Sequence, residues 1–349
     1  MARKAVSDNE KKEAIISAAM DCFFEKGYDG TSIRTIMKRA GAEVGLFYYY
    51  FNSKDEVFDK VLDKFFSGYQ KDFSEIADRV YRDPFRTLTR FFLYMIKETE
   101  RFREKYAEKM HRTVRWAIRE HTLTIIVPYI RQIIDVLTSF GAKPPLNLDL
   151  TAIVLAHGVG STILHENSDW IKQNLHDSRK AGNLLMGLNS ETSDLMFPEN
   201  PNAEEIPLIA DMAQGMKENF PGFVRSEFEL LLKEKIEKGE AIVIRNQDKI
   251  AGCILFSRNE KEIEFLAVSP DLRKQGVASR LLITAMSEFP PETELSVVTY
   301  RDGDAVGKDA RRFYKKFGFK DGEYLTVFDY PCQRLIGHAP KNVTEITHC

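Results

Sequence analysis

The sequence changes character near residue 190, and this change restricts the folds open to the chain. Before it, apolar residues recur at the three- to four-residue spacing of amphipathic helices. After the turn-rich stretch 197–202, short runs rich in β-branched residues alternate with helical segments. These runs are AIVIRN, IAGCILFS, IEFLAVS and ELSVVTY. We therefore predict a multidomain protein, with an all-α part followed by a separate α/β (α+β) part.

Length and cysteine usage limit the class of protein. At 349 residues the chain predicts two or three domains. The four cysteines are scattered without a CxxC pair, which suits reduced thiols and predicts no metal site. No apolar run reaches the roughly 18 to 20 residues that cross a bilayer, and the N-terminus has no apolar signal segment. We expect a cytoplasmic protein without a membrane partner.

The segment from about residue 10 to 66 predicts short helices separated by glycine turns. A first amphipathic helix ends at Gly27, Thr31 or Ser32 caps a second helix, and Gly41 ends that helix. A third helix follows almost at once, from about Glu43. Two short helices joined by a glycine turn form the unit that places its second helix in a DNA major groove. The apolar face of the first helix consists of Ile15, Ala18, Ala19, Cys22 and Phe23.

Residues 31–62 (TSIRTIMKRAGAEVGLFYYYFNSKDEVFDKVL) resemble the DNA-binding domain of the tetracycline-repressor (TetR) family. The resemblance implies that the second and third helices approach double-stranded DNA, with Lys54 meeting a phosphate beside a helix N-terminus. Four Lys or Arg against one acid in residues 31–54 fit phosphate neutralisation. The matching positions are Thr31, Ile36, Ala40, Gly41, Gly45, Tyr48, Tyr50, Phe51, Lys54 and Val57. The implied DNA-binding residues are Arg34, Val44, Gly45, Leu46, Tyr48, Tyr49 and Lys54.

The aromatic residues of this motif have a structural alternative, because each could simply pack the core. We favour packing for Tyr50 and Phe51, and DNA contact for Tyr48, Tyr49 and Lys54. Relatives often carry polar residues at positions 44 and 46, where this chain has Val and Leu. Base recognition would then use thymine methyl groups, or Arg34 and the tyrosines.

The helices from 67 to 189 are, by the same resemblance, an effector-binding and dimerisation domain. Residues 150–164 (LTAIVLAHGVGSTIL) are apolar nearly all round, which indicates burial on every side. We expect a homodimer through helices within about 148–189, a palindromic operator and a small-molecule effector. For the basic string 101–120 we favour a solvated face, with an anionic effector as the alternative. Candidate pocket residues, for which plain core packing is the favoured alternative, are Phe91, Phe92, Met95, Met110, Trp116 and Ile118.

Residues 263–286 (IEFLAVSPDLRKQGVASRLLITAM) predict a strand, a charged glycine loop and a helix. This order points backbone amides and a helix dipole at an anion. The Arg273-x-x-Gly276-x-Ala278 spacing resembles the RxxGxG/A motif of the GNAT acyltransferase superfamily, and ARRFYKKFGF resembles its AxxxYxxxGF segment. Relatives often carry Asn where this chain has Gly307.

The GNAT resemblance implies acetyl-CoA (or another acyl-CoA) as the cofactor and an amine as the acceptor. The amides of Gln275, Gly276, Val277, Ala278 and Ser279, beside Arg273 and Lys274, would hold the cofactor's pyrophosphate. The backbone of Leu266, Ala267 and Val268 would pair with the pantetheine arm as an added strand does. Tyr314 would be the general acid and Glu264 the base, with an ion pair or a solvent-facing carboxylate as alternatives for Glu264.

The predicted domains are 1–66 (helix-turn-helix), 67–189 (helical effector and dimerisation domain), 190–335 (acetyltransferase-like domain) and 336–349 (C-terminal tail). Three functional hypotheses follow. The chain is a repressor with an active N-acetyltransferase, a regulator that senses acyl-CoA without catalysis, or mainly an enzyme with a helical dimerisation module. The presence of Arg34, Tyr48 and Lys54 together argues against the third hypothesis.

Overall fold

The computed structural model describes residues 8–106, 109–187, 197–246 and 249–345, which form two compact units. The first unit contains the described parts of 1–77, 89–132 and 149–179, and it is helical. The second contains 78–88, 133–148 and the described residues from 180 onward, including the β-sheet. A helical N-terminal region followed by a mixed α/β region confirms the predicted fold class.

The N-terminal part of the first unit is a three-helix arrangement around one apolar core. Its helices are α1 (Asp8–Lys26), α2 (Ile33–Ala40) and α3 (Val44–Tyr50). Ser32 caps α2 by accepting the Thr35 amide at 3.1 Å, while Thr31 is buried and bonds to the Gly27 carbonyl. Gly41 ends α2 with φ of 67°, a left-handed conformation that glycine adopts without strain. The predicted inner face of α1 is buried as expected.

Longer helices complete the helical region. They are α4 (Lys54–Asp78), α5 (Pro84–Tyr106), α6 (Arg112–Ser139), α7 (Leu148–Leu155), α8 (Ser161–His165), α9 (Ser168–Gln173) and α10 (Leu175–Leu185). A π-helical turn, Ala156–Gly160, joins α7 to α8. Contrary to the sequence expectation, one stretch, Leu148–His165, is long and apolar enough to span a membrane by length and composition, and 39% of it is buried. A buried core helix meets the same criterion.

The second unit is built on a seven-stranded sheet of order β1-β2-β3-β4-β5-β7-β6. All neighbouring strands are antiparallel except β4 and β5. The strands are β1 (Pro198–Glu199), β2 (Ala241–Asn246), β3 (Lys249–Ser257), β4 (Glu262–Val268), β5 (Glu294–Tyr300), β6 (Lys320–Val327) and β7 (Tyr330–His338). The helices are α11 (Ile206–Gln214), α12 (Arg225–Glu237), α13 (Val277–Met286) and α14 (Lys308–Lys316).

The helices cover the sheet so that α13 begins beside the end of β4. Side chains of α11 and α12 pack with Val243, Cys253 and Phe265 in one apolar cluster. A Cβ added at Gly252 would lie 3.0 Å from side-chain atoms of Val277 and Leu281, which shows how closely α13 approaches β3.

Some predicted elements lie at or beyond the limits of the described residues. The sequence also predicts a first strand at Ser193–Phe197 and a hairpin turn at Gln247-Asp248. Both lie outside the described residues, except for Phe197. At the other end, β7 continues to His338 and Val343 is buried, so the described residues after 335 pack with the sheet. The predicted domain boundaries remain predictions.

Candidate functional site: a cleft in the α/β unit and a DNA-facing helix

A large cavity in the second unit arises where β4 and β5 separate. These parallel strands pair only at Glu262 with Ser296 and at Ile263 with Val297. Beyond that point the rest of β4 and β5 lines a cavity of about 1310 Å³. Because β3 pairs with the other edge of β4 as far as Val268, the edge of β4 that faces the cavity is left for an extended ligand.

The start of α13 lies on the same cavity. Gly276 precedes the helix with φ of 80°, and an added Cβ there would meet no atom within 4 Å. No side chain caps the helix, and the first four amides of a helix have no intrahelical partner. The Arg273 guanidinium donates to the Val268 carbonyl at 3.3 Å, which ties the turn to the end of β4. The turn therefore presents outward-pointing amides to an anion.

Tyr314 lines the cavity from α14 and is 6% exposed. Its ring packs edge-on against Phe319, with centroids 5.6 Å apart. Burial raises the pKa of the Tyr314 phenol, so the group stays protonated across the physiological range. It can therefore donate a proton or a hydrogen bond into the cavity.

Glu264 also lines the cavity, but its carboxylate is paired. The Lys235 ammonium lies 2.7 Å from one of its oxygens and 2.8 Å from the other. Lys235 is 4% exposed and also donates to the Phe256 carbonyl at 3.1 Å. The structure therefore shows the ion pair that was the alternative for Glu264, and its role as a base stays a prediction.

Glu262 is a carboxylate that the sequence analysis did not single out. It lies two residues before Glu264, on the same face of β4, and lines the same cavity. Burial raises the pKa of Glu262, and this effect outweighs the opposing effect of Arg334, whose Nη1 lies 3.8 Å away. The period of two along β4 was the signal that could have identified it.

Aromatic side chains form one end of the cavity. Phe265 of β4 lies 4.7 Å from Phe220 and 4.8 Å from Phe228, measured between ring centroids. Phe328, at the tip of the β6–β7 hairpin, lies so close to Gly222 that a Cβ there would come within 2.3 Å of it. This end of the cavity suits an apolar group.

Basic side chains from α14 line the cavity as well. Arg312 and Lys316, one helical turn apart, join Lys274 there, and sequence reasoning missed both. The sequence shows their i, i+4 spacing, but basic residues on an ordinary solvent-exposed helix face have the same spacing. Gly307 caps α14, and a Cβ there would lie 2.1 Å from the Tyr300 Cβ, so the close approach of Tyr300 requires glycine at 307.

In the helical unit, the exposed surface of α2 and α3 carries most of the residues predicted to meet DNA. Arg34 and Gly45 are exposed, and Tyr48 and Tyr49 are 59% and 70% exposed. In contrast, Phe51 is buried in the core, as expected. Arg34 of α2 and Tyr48 and Tyr49 of α3 are therefore accessible to a ligand outside the core.

Three predicted DNA-binding residues make contacts within the protein itself. Val44 and Leu46 are partly buried against the three-helix core. Lys54 donates to the carbonyls of Tyr28 and Thr31 at 3.1 and 3.2 Å, and its ammonium lies 4.0 Å from the Tyr28 ring centroid. Lys54 thus holds the loop between α1 and α2, and its phosphate contact stays a prediction.

Two family models match the chain, one in each part. Residues 15–61 match the bacterial regulatory proteins of the tetR family, and residues 209–319 match the acetyltransferase (GNAT) family. The chain joins a TetR-family region to a GNAT-family region. The GNAT region therefore has an acyltransferase-type fold, and the TetR region is that of a DNA-binding regulator.

Individual relatives cover the chain only in part. The probable HTH-type transcriptional regulator YttP of Bacillus subtilis is 35% identical over 69 residues, which are 20% of this chain and 33% of that protein. The HTH-type transcriptional repressor DhaR of Mycobacterium sp. is 29% identical over 86 residues, 25% of this chain and 43% of that protein. The chain thus spans less than half the length of these relatives.

A solved structure is similar to part of this chain. Ard1 from Thermoplasma volcanium is 18% identical, and the match covers 41% of this chain and 97% of that one with a TM-score of 0.35.

The predicted effector-pocket residues of the TetR-like region separate into two groups. Met95 and Ile118 line a cavity in the helical unit. Met110 instead packs in the core of the three-helix arrangement, and Trp116 is 75% exposed. Phe91 is buried with its ring 5.1 Å from that of Phe73. Helical spacing alone could not distinguish the faces of α5 and α6 that turn inward.

Proposed function

We propose that this protein is a cytoplasmic TetR-type repressor whose GNAT domain binds acetyl-CoA, or another acyl-CoA, and transfers the acyl group to an amine. One observation carries the proposal. A single cavity combines the open edge of β4, the uncapped start of α13 and the buried phenol of Tyr314.

The cavity fits an acyl-CoA in size and charge. At about 1310 Å³ it exceeds the roughly 300–1,000 Å³ of a typical ligand pocket, which leaves room for a second substrate. Amides of residues 275–279 would bind the pyrophosphate, and the backbone of 266–268 would pair with the pantetheine arm. Lys274, Arg312 and Lys316 supply positive charge around them.

Acyl transfer needs one proton given to the leaving sulfur and one taken from the amine, and groups that line the cavity could perform both transfers. Bound acyl-CoA supplies a thioester, which an amine attacks. The Tyr314 phenol, which is protonated at neutral pH, would donate a proton to the departing sulfur. The amine must lose a proton to a carboxylate, for which Glu264 is the predicted base and Glu262 has the raised pKa.

The TetR-like region supplies the regulatory half of the proposal. The surface of Arg34, Gly45, Tyr48 and Tyr49 would contact a palindromic operator, and the helices within 148–189 would form the homodimer. The exposed side chains of Leu150 and Ile153, on the same apolar stretch, support that dimer face. A small molecule in the helical unit would control DNA affinity.

A second candidate is a regulator that senses acyl-CoA without catalysis. The ion pair between Glu264 and Lys235 favours it, because it leaves the predicted base engaged. The two candidates share the cofactor site and differ only in turnover.

The decisive experiment compares two glycine variants by calorimetry with acetyl-CoA on the full chain. Gly276 and Gly239 both have positive φ, 80° and 65°, and a Cβ at either meets no atom within 4 Å. Each change to alanine therefore costs about 1 kcal/mol in backbone strain, but only Gly276 lines the cavity. We expect Gly276→Ala to weaken acetyl-CoA binding at least about tenfold and Gly276→Asp to abolish it.

Gly239→Ala should bind the cofactor like the wild type. Equal binding by the Gly276 and Gly239 variants would contradict our placement of the site. If the wild type binds acetyl-CoA but releases no free thiol with any amine in a broad panel, the second candidate, a regulator that senses acyl-CoA without catalysis, is the correct one.

A further inference from the structure

The helical unit contains its own cavity, separate from the GNAT cleft, with a volume of about 110 Å³. It lies between α4, α5 and α6, and Leu164 of α8 contributes to its wall. A cavity of about 150 Å³ is known to hold one benzene molecule, so this one has the scale of a single small ring. The aromatic residues in its wall are Phe65, Phe66, Tyr69, Phe73, Tyr94 and Phe102.

Three arginines line this aromatic cavity. Arg115 and Arg119 lie one turn apart on α6 and so share a face, while Arg103 comes from α5. The Arg103 guanidinium donates to the Leu164 carbonyl at 3.1 Å, which fixes its position. Guanidinium groups bind carboxylates through paired hydrogen bonds, so this cluster suits an organic acid.

The acidic groups close to the cavity are already engaged. Glu98, the one carboxylate that the described residues contribute to its lining, accepts from Arg101 at 2.5 Å. Asp72 accepts the hydrogen bond of the Tyr94 hydroxyl. The lining therefore carries more positive than negative charge.

The pKa of Arg119 agrees with an excess of positive charge in the lining. Burial lowers the pKa of Arg119, and the guanidinium groups of Arg103 and Arg115 lower it further. An anion bound among the three would relieve this repulsion. The structure thus supports an anionic effector, which was the alternative to a solvated face for the basic string 101–120.

We propose that the helical unit binds a carboxylate that carries a single aromatic ring, with its ring among the phenylalanines and its carboxylate on Arg119. This inference rests on the proposed function, because it names the chemical class of the effector. The ring would bury apolar surface in the small cavity, and the arginines would select the anion over a neutral molecule of the same shape.

The test uses benzoate as the probe and benzamide as its neutral counterpart, titrated into the full chain by calorimetry. We expect benzoate to bind at low millimolar concentration or better, and benzamide at least about tenfold more weakly. Failure of benzoate to bind in this range, or equal binding of benzamide, would overturn the proposal. Competition by inorganic phosphate as strong as benzoate would also overturn it, because the aromatic walls would then contribute nothing.

A pair of variants on α6 locates the site. Arg119→Met removes one charge from a repelling cluster, so the unit should fold with unchanged thermal stability. Arg112→Met makes the same change at an exposed residue of α6 outside the lining. We expect benzoate affinity to fall at least about tenfold in the first variant and to stay unchanged in the second. Equal effects would place the benzoate elsewhere.

A separate measurement distinguishes this inference from the proposed function. Benzoate is added to the complex of wild-type protein with its operator. A change in DNA affinity that Arg119→Met removes supports both the site and its regulatory role. Binding of benzoate without any change in DNA affinity supports the carboxylate site and refutes the effector role.

Discussion

Gly45 offers a test in which stability and function should change in opposite directions. It is the second residue of α3, exposed, and a Cβ added there meets no atom within 4 Å. The fold therefore does not require glycine at this position, in contrast to Gly41, where φ is positive. Close approach of DNA to the backbone of α3 is the physical reason we infer for it.

The expected magnitudes follow from this environment. Replacing an exposed helical glycine by alanine stabilises a helix by about 0.5–1 kcal/mol. A methyl group between the helix and a phosphate would remove one charge-assisted hydrogen bond, worth roughly 1.5 kcal/mol. In a dimer with two recognition helices the loss doubles to about 3 kcal/mol, which is roughly a 100-fold weaker complex.

The assay first selects an operator from random double-stranded DNA with the wild-type protein. Fluorescence anisotropy at fixed salt then gives the affinities of Gly45→Ala and of a matched control, Gly68→Ala. Gly68 lies in α4, is exposed, and also has no atom near an added Cβ. Both variants should be at least as stable as the wild type, and only Gly45→Ala should lose DNA affinity. DNA binding by Gly45→Ala as tight as by Gly68→Ala would refute the assignment of α3 to the groove.

Three further predictions address the GNAT cleft, the second unit's ion pairs and the dimer. Tyr314→Phe should lower acyl transfer about 100-fold, measured as thiol release with the best amine of a panel, and leave acetyl-CoA affinity unchanged. Burial acts to raise the pKa of Glu288, but its ion pairs with Arg258 and Arg86 outweigh burial and lower it. A carboxyl with a lowered pKa stabilises the fold above its unfolded pKa of about 4.3 and loses that effect as pH falls through the folded pKa. Glu288→Gln should therefore lower the free energy of unfolding by about 2 kcal/mol at pH 7 and leave it equal to that of the wild type in strong acid, measured by denaturant unfolding. A difference in this free energy that stays constant at all pH values would exclude the ion pairs as its cause. Leu150→Glu should convert the dimer to a monomer in analytical ultracentrifugation, and an unchanged dimer would move the interface away from α7.

The local architecture of both regions was predictable from the sequence alone. The turns at Gly27, Gly41 and Gly276 were predicted from glycine and its neighbours, and all three have positive φ. The apolar face of α1 was likewise readable from helical spacing. Each of these features depends on interactions within a few residues, which the local sequence contains.

Which side chains are paired, and which face a cavity, depends on the tertiary packing and could not be predicted from the sequence. Lys54 donates to carbonyls more than twenty residues away, and Glu264 pairs with Lys235 from a different element. Arg119 lines a cavity while Arg112, on the same helix, is exposed. The separation of β4 from β5, which opens the cleft, depends on strands that lie about thirty residues apart in the chain. Contacts of this kind depend on how whole elements pack, because the same residue type at the same spacing serves equally well on a buried face and on an exposed one.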